Sequence, residues 1–369
     1  MKFTVERAAF LDAISRLSKV VGNKSSLPVL EGILLSAKQG TLSMSAYNLE
    51  MGMQKEIYAS CEESGEIVIS ANLLSNIIRR LNGPQVEIET DERLMCHIKC
   101  NEALFDIMGM AASDFPEMPS VDEGTKLTID SEVFSSMVKG TIFAVAQIEG
   151  TRPILTGINI SVKNNVLQFV SIDGFRLAIR REKIAECDDI EFVVAGKAVN
   201  EFVKLIDENS ENIEITVGNR LISFSVNGYV FISRLLDGEF VNYEKIIPTE
   251  YKQKVILNLS ELISTLECVS IIINDTLSTP VRCAFDENRL SLTCMTAIGK
   301  SSEKINISLE GEPFEIGMNS RYFLDALKVC QTGEIMLTFN GENSGVLIKS
   351  ADENNKDFLY LVMPMRLKK

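Results

Sequence analysis

Leu27-Pro28-Val29-Leu30-Glu31-Gly32-Ile33 returns 125 residues later as Arg152-Pro153-Ile154-Leu155-Thr156-Gly157-Ile158, and a fainter copy, Thr279-Pro280-Val281, follows after a further 127. Leu42, Leu167 and Leu290 keep the same phase, each opening an alternating stretch: Leu42-Ser43-Met44-Ser45, Leu167-Gln168-Phe169-Val170 and Leu290-Ser291-Leu292-Thr293. A period of roughly 20–50 residues marks a solenoid, whereas a unit near one third of 369 residues is large enough to enclose its own core. The sequence therefore predicts three domains of one fold, 1–122, 128–248 and 249–369, divided near the proline- and acid-rich Ser120–Gly124 and near Pro248–Lys252.

Each third offers two amphipathic helices. The first has 6–21, with Ala9, Leu11, Ile14, Leu17 and Val20 or Val21 at helical spacing, and 70–82, where Leu73, Leu74, Ile77, Ile78 and Leu81 recur at three and four. The second has 131–147 and 195–206, the third 258–273 and 318–330. Ser70 and either Asn319 or Ser320 are candidate N-caps. Between the helices the residues alternate, as in Glu66-Ile67-Val68-Ile69, Val86-Glu87-Ile88-Glu89, Ile213–Val217, Leu221–Val226 and Ile335–Phe339, which reads as half-buried antiparallel strands. Asn227-Gly228 and Asn340-Gly341 are hairpin turn signals. The fold class is α+β, three repeated domains with two helices each on antiparallel sheet.

A hydrophobic fraction of 46% supplies ordinary cores, and the N-terminal Met1–Arg7 lacks the apolar run of a signal peptide, so a cytoplasmic protein is expected. Eight cysteines without that signal read as reduced, buried small hydrophobes. Cys96-His97-Ile98-Lys99-Cys100 holds the one histidine, but residues four apart in a strand sit about 13 Å from each other and cannot share a zinc. His97 is then an exposed strand residue on the other face. The net charge of -14 argues at first sight against a nucleic-acid partner. Its distribution argues otherwise: the six helix windows sum to +3, leaving -17 for everything else. Cationic helices against an acidic remainder suit a phosphate-facing helical layer, and ordinary scatter among solvated helix faces is the alternative.

Motifs for chemistry are missing. Gly299-Lys300-Ser301 resembles the end of a phosphate loop, yet Cys294 stands where the loop needs its first glycine. With a single histidine there is no evident general base for a serine or cysteine nucleophile, and no metal or cofactor motif is found, so no catalytic residue, metal or cofactor is assigned. Asp173-Gly174 reads as a tight turn.

Ile172-Asp173-Gly174-Phe175-Arg176-Leu177-Ala178, Ile232–Phe240 and the C-terminal Met363-Pro364-Met365-Arg366-Leu367 strongly resemble the bacterial sliding clamps, the beta subunits of replicative DNA polymerases; Asp114-Phe115-Pro116 and Thr151-Arg152-Pro153 fit the same pattern. The resemblance runs from Met1 to Leu367. It implies a head-to-tail homodimeric ring around double-stranded DNA, a processivity factor with no catalytic activity of its own. By this similarity the DNA-facing residues are Lys24, Arg79, Arg80, Gln147 and Lys197; read alone, Arg79 and Arg80 are also a solvated helix end favoured by the helix dipole. The family's peptide pocket maps onto Leu155, Ile172, Gly174, Phe175, Arg176, Leu177, Val241, Ile246, Tyr322, Val362, Met363, Pro364, Met365 and Arg366. Implied partners are the catalytic alpha subunit of the polymerase, the clamp loader, and repair, translesion, mismatch-repair and ligase-type proteins carrying short linear motifs. The ring contact maps onto Phe105 and Ile107 facing Ile272 and Ile273 of the other copy, with intradomain core as the alternative. Lys24 replaces a common arginine, Phe175 a common histidine and Val241 a common proline, and Lys368-Lys369 extend past the usual terminus. Two rival readings are a cysteine enzyme, with Cys294 as its nucleophile, and a static protein scaffold that does not hold DNA.

Overall fold

The computed structural model describes residues 1–22, 25–121, 123–147, 152–274 and 279–367. Among these, six α-helices stand inside the six expected windows: α1 (Arg7–Leu17), α2 (Ala71–Arg80), α3 (Ser131–Lys139), α4 (Gly196–Val203), α5 (Leu259–Ser270) and α6 (Ser320–Leu327). Each is shorter than its window. In α1 the buried stripe is Phe10, Ala13, Ile14 and Leu17 rather than one through Ala9 and Leu11, because the larger Phe10 claims the core. Leu73 of α2 is likewise exposed while Leu74, Ile77 and Ile78 are buried. The expected helix 131–147 ends at Lys139. The Thr141 hydroxyl bonds back to the Met137 carbonyl at 2.9 Å, and a side chain at Gly140 would crowd Cγ of Arg180, so the chain turns there and continues as a 3-10 turn at Ile142–Ala144. Asn258 and Asn319 cap α5 and α6 by accepting from the N–H groups of Glu261 and Tyr322, whereas Ser70 occupies the cap position of α2 without a side-chain bond.

The strands form four antiparallel sheets gathered in two compact units. The first unit, Met1–Phe134 with Lys197–Leu235, holds a five-stranded and an eight-stranded sheet. In the five-stranded sheet Cys96, Ile98 and Cys100 are buried and His97 is exposed, as the alternation requires. The eight-stranded sheet is continuous between repeats: strand Met51–Tyr58 of the first pairs with strand Tyr229–Arg234 of the second. Phe134, Phe202, Phe224 and Phe231 pack edge-on and stacked beneath it, with centroids 4.7–5.9 Å apart for the closest pairs. The turn at Asn227-Gly228 has φ of +50° and +71°, the left-handed pair that a two-residue hairpin needs.

The second unit, Ser135–Gly196 with Leu236–Lys369, holds a nine-stranded and a four-stranded sheet. Its long sheet is again continuous between repeats, Arg176–Lys183 of the second pairing with Phe358–Val362 of the third. One face carries the core of the third repeat, including Phe285, Phe339, Tyr360 and Val362. Asn340-Gly341 opens a longer connection between strands Glu334–Phe339 and Val346–Ser350 and is not a two-residue turn.

Candidate functional site

In the second unit, strands Val166–Ile172, Arg176–Lys183 and Phe358–Val362 lie side by side, and their face away from the third-repeat core carries a separate apolar cluster. Val170, Ile172, Leu177, Ile179, Leu347 and Leu361 form its floor; Leu155, Val241, Tyr243, Ile247, Leu359 and Met363 pack against it half-buried. The structure thus brings together Leu155, Ile172, Leu177, Val241 and Met363 of the expected pocket. Strand parity separates Val362, which is fully buried in the core of the opposite face, from Leu361, which takes the pocket face. Ile246 is 44% exposed on the 3-10 turn Tyr243–Ile246, and its neighbour Ile247 makes the contact instead.

At one end of these strands Arg176 is nine-tenths buried, its side chain on the face opposite Leu177. Its Nε donates to Asp173 Oδ2 at 3.0 Å and its Nη1 to Asp325 Oδ2 at 2.7 Å, while the guanidinium carbon lies 4.1 Å from the ring centre of Tyr322. Asp173 Oδ1 accepts the N–H groups of Phe175 and Arg176, closing the turn in which Gly174 adopts φ +89°. The arginine therefore ties the turn to α6. Phe175 is 59% exposed, its ring 6.1 Å from that of Tyr322, and its carbonyl accepts the N–H of Met363. Pro364 and Met365 follow half-buried, the Met365 N–H donating to the Gly317 carbonyl, and Arg366 is exposed. The result is an apolar floor bordered by the exposed Phe175 ring and by a turn that Arg176 braces from the other face of the sheet, suited to apolar side chains of a short peptide. Lys368 and Lys369 lie outside the described residues. Asp325 was not among the sequence candidates, and Asp173 was read there only as a turn residue.

Arg79 and Arg80 are exposed in the last turn of α2, where cations are favoured, and Lys197 is exposed in the first turn of α4. Gln147 is exposed, and Lys24 lies outside the described residues. Lys19, Lys139 and Arg321 add exposed cations at helix ends that sequence reasoning passed over.

Phe105 and Ile107 sit on strand Ala103–Met108, the edge of the five-stranded sheet, on the same face as buried Ile98 and Cys96. Phe105 remains 38% exposed, and Leu104 and Met108 on the other face are 71% and 63% exposed. An apolar sheet edge of this kind calls for a cover. In the third repeat Ile272 and Ile273 are half-buried against the core, while Ile271, Met295 and Ile298 are 69–81% exposed around strand Gly299–Asn306, the edge of the four-stranded sheet.

Cys268 is exposed, contrary to the expectation of buried cysteines, whereas burial pushes the thiols of Cys96 and Cys283 up to about 12. No group of three metal-ligating residues occurs among the described residues, and none of their helices is long and apolar enough to cross a membrane.

Comparison with known proteins bears on this arrangement directly. Three family models match in order: the N-terminal domain of the DNA polymerase III beta subunit over residues 1–119, the central domain over 128–242 and the C-terminal domain over 244–366. The chain belongs to the DNA polymerase III beta subunit family. The beta sliding clamp of Bacillus subtilis (strain 168) is 29% identical, covering 99% of this chain and 100% of its own, and that of Synechococcus elongatus is 30% identical over the full length of both. The crystal structure of the Bacillus subtilis sliding clamp superposes with a TM-score of 0.95 at 28% identity, and that of a beta subunit from Eubacterium rectale with 0.94 at 28%, each covering both chains fully. The repeated clamp fold expected from the sequence is the fold observed.

Proposed function

We propose that this beta subunit is the processivity factor of a DNA polymerase: two copies close head to tail into a ring around double-stranded DNA, and the apolar pocket tethers the enzymes that work there. One observation carries the reading. Within the chain, the third strand of each repeat's hairpin series pairs with the last strand of the next repeat, Met51–Tyr58 with Tyr229–Arg234 and Arg176–Lys183 with Phe358–Val362. The counterparts left over are Gly299–Asn306 of the third repeat and Ala103–Met108 of the first, and both are sheet edges. A second copy, placed head to tail, satisfies both edges and closes the cycle.

The register supports this. The fifth residue of the hairpin strand faces the first residue of the last strand in both internal joins, Lys55 with Tyr229 and Arg180 with Phe358. Repeated at the seam, this sets Glu303 opposite Ala103, Ser301 opposite Phe105 and Lys300 opposite Asp106. Ser301 donates to the Val269 carbonyl in the last turn of α5, so Phe105 and Ile107 arrive beside Ile271, Ile272 and Ile273.

The three repeats, 1–122, 128–248 and 249–369, present their helices to the duplex, with Lys24, Arg79, Arg80, Gln147 and Lys197 facing phosphate. Weak, exposed contacts of this kind hold DNA without fixing it, so the ring slides. The subunit is cytoplasmic and has no catalytic activity. Its partners are the polymerase's catalytic alpha subunit, the clamp loader, and repair, translesion, mismatch-repair and ligase-type proteins, whose tethering raises their local concentration at the template. The test is retention after loading: a nicked circular template keeps the protein, and linearising that template releases it within the time needed to reach an end. Equal retention on both forms refutes encirclement.

A further inference from the structure

Beyond the tethering pocket, the same face of the nine-stranded sheet carries a cavity of ≈ 360 Å³ whose chemistry the pocket does not use. Arg181, Lys349 and Lys356 line it, with Tyr251, Met336 and Leu359 as apolar walls. Arg181 is half-buried; its Nε donates to Gln168 Oε1 at 2.7 Å, and among the described residues no carboxylate stands within ion-pair distance of its guanidinium. Desolvation lowers its affinity for the proton, with Tyr243 and Glu244 opposing that shift from a distance. A cation taken from water without a counter-charge is costly unless something pairs with it.

Neither of the cavity's own two carboxylates pairs with Arg181, Lys349 or Lys356 among the described residues. Glu353 lies 3.6 Å from Lys254, and Asp352 accepts from the N–H and the side-chain amide of Asn354. Lys349 and Lys356 make no ion pair among the described residues. Three cationic residues against two acidic ones thus line a space with room for an anionic group.

Two features join this cavity to the pocket. Leu359 belongs to both, packing against the apolar cluster and lining the cavity. Gln168 donates to the Tyr243 hydroxyl at 2.7 Å while accepting from Arg181, so a hydrogen-bonded chain runs from the pocket wall to the cation. Arg181 is four residues along its strand from Leu177 on the pocket floor, about 13 Å at the usual rise and on the same face, a gap that about four or five residues of extended peptide span. We propose that this cavity is an anion subsite for acidic side chains flanking the peptide held in the apolar pocket, with Arg181, Lys349 and Lys356 receiving the carboxylates. The inference rests on the pocket being a peptide site.

The test measures anisotropy of fluorescein-labelled peptides with a Leu-Phe anchor, matched to the apolar floor, and flanks of either paired glutamates or paired glutamines five residues from the anchor on both sides. The glutamate peptide is expected to bind wild-type protein about tenfold tighter at low salt, the scale of a charge-assisted contact. Arg181→Gln and, independently, the double variant Lys349→Gln/Lys356→Gln should erase that advantage while leaving the glutamine peptide's affinity unchanged. The surface lysine variant keeps the test decisive if Arg181→Gln does not fold. Equal affinity of the two peptides for wild-type protein overturns the inference and leaves the pocket standing. An advantage that survives in the lysine variant overturns it too, by placing the acidic contact elsewhere. If neither peptide binds, the pocket reading fails and the inference with it.

Discussion

Reversing one charge at the seam should open the ring, and restoring the opposite sign across it should close it again. Carrying the internal register to Gly299–Asn306 and Ala103–Met108 places Lys300 opposite Asp106, both exposed and on the face away from the helices. An exposed ion pair of this kind contributes about 0.2–1 kcal/mol, and reversal substitutes a repulsion of similar size. A head-to-tail dimer has two identical seams, so Asp106→Lys or Lys300→Glu acts twice, for a total of roughly 1–4 kcal/mol, or about 5- to 1,000-fold in the dimer dissociation constant. Sedimentation velocity over a concentration series reads this constant. The double variant Asp106→Lys/Lys300→Glu should regain most of the lost association, and all differences should shrink in 1 M salt, where the screening length falls to about 3 Å. Single variants that associate like wild type at low salt, or a double variant as weak as the singles, would refute the register argument.

Arg176→Met should weaken capture of an apolar peptide more than tenfold and lower stability by about 3 kcal/mol, because it removes both ion pairs that tie the Asp173-Gly174 turn to α6 and leaves half-buried Asp173 with only its backbone N–H donors; peptide anisotropy and urea unfolding check the two effects. Phe202→Ala, at the centre of the four-phenylalanine cluster, should cost about 3–5 kcal/mol in urea unfolding with little change in peptide affinity. The His97 ring lies 2.6 Å from Asp106, and that hydrogen bond, with the nearby Asp91 and Glu89, raises its pKa above the ordinary 6.5. The contact's contribution is in force below 6.5 and fades as pH rises through the folded-state value. An NMR titration should give a midpoint above 6.5 in wild type and a lower one in Asp106→Asn. Thiol labelling at pH 8 should modify exposed Cys268 quickly, while Cys96 and Cys283 stay protected until the protein unfolds.

The repeat, the six helices and the alternating strands were legible because period and spacing are local properties: each follows from how a helix or a strand turns its side chains. The tight turns at Asp173-Gly174 and Asn227-Gly228 were legible for the same reason, since only particular residues adopt their backbone angles. Asn340-Gly341 carried the same signal without forming the same turn, because loop length there is set by how strands Glu334–Phe339 and Val346–Ser350 meet. Other properties required the assembled sheets. Whether Leu361 or Val362 faces the pocket depends on which side of the nine-stranded sheet holds the third-repeat core. That Phe10 rather than Leu11 is buried depends on what α1 packs against. The link from Asp325 to Arg176 spans 149 residues, and the chain from Tyr243 through Gln168 to Arg181 joins three segments that no spacing relates. Sequence by itself determined the elements and their threefold recurrence; tertiary structure decided which faces, edges and charges are left without a partner, because burial and pairing are settled only when distant segments compete for the same space.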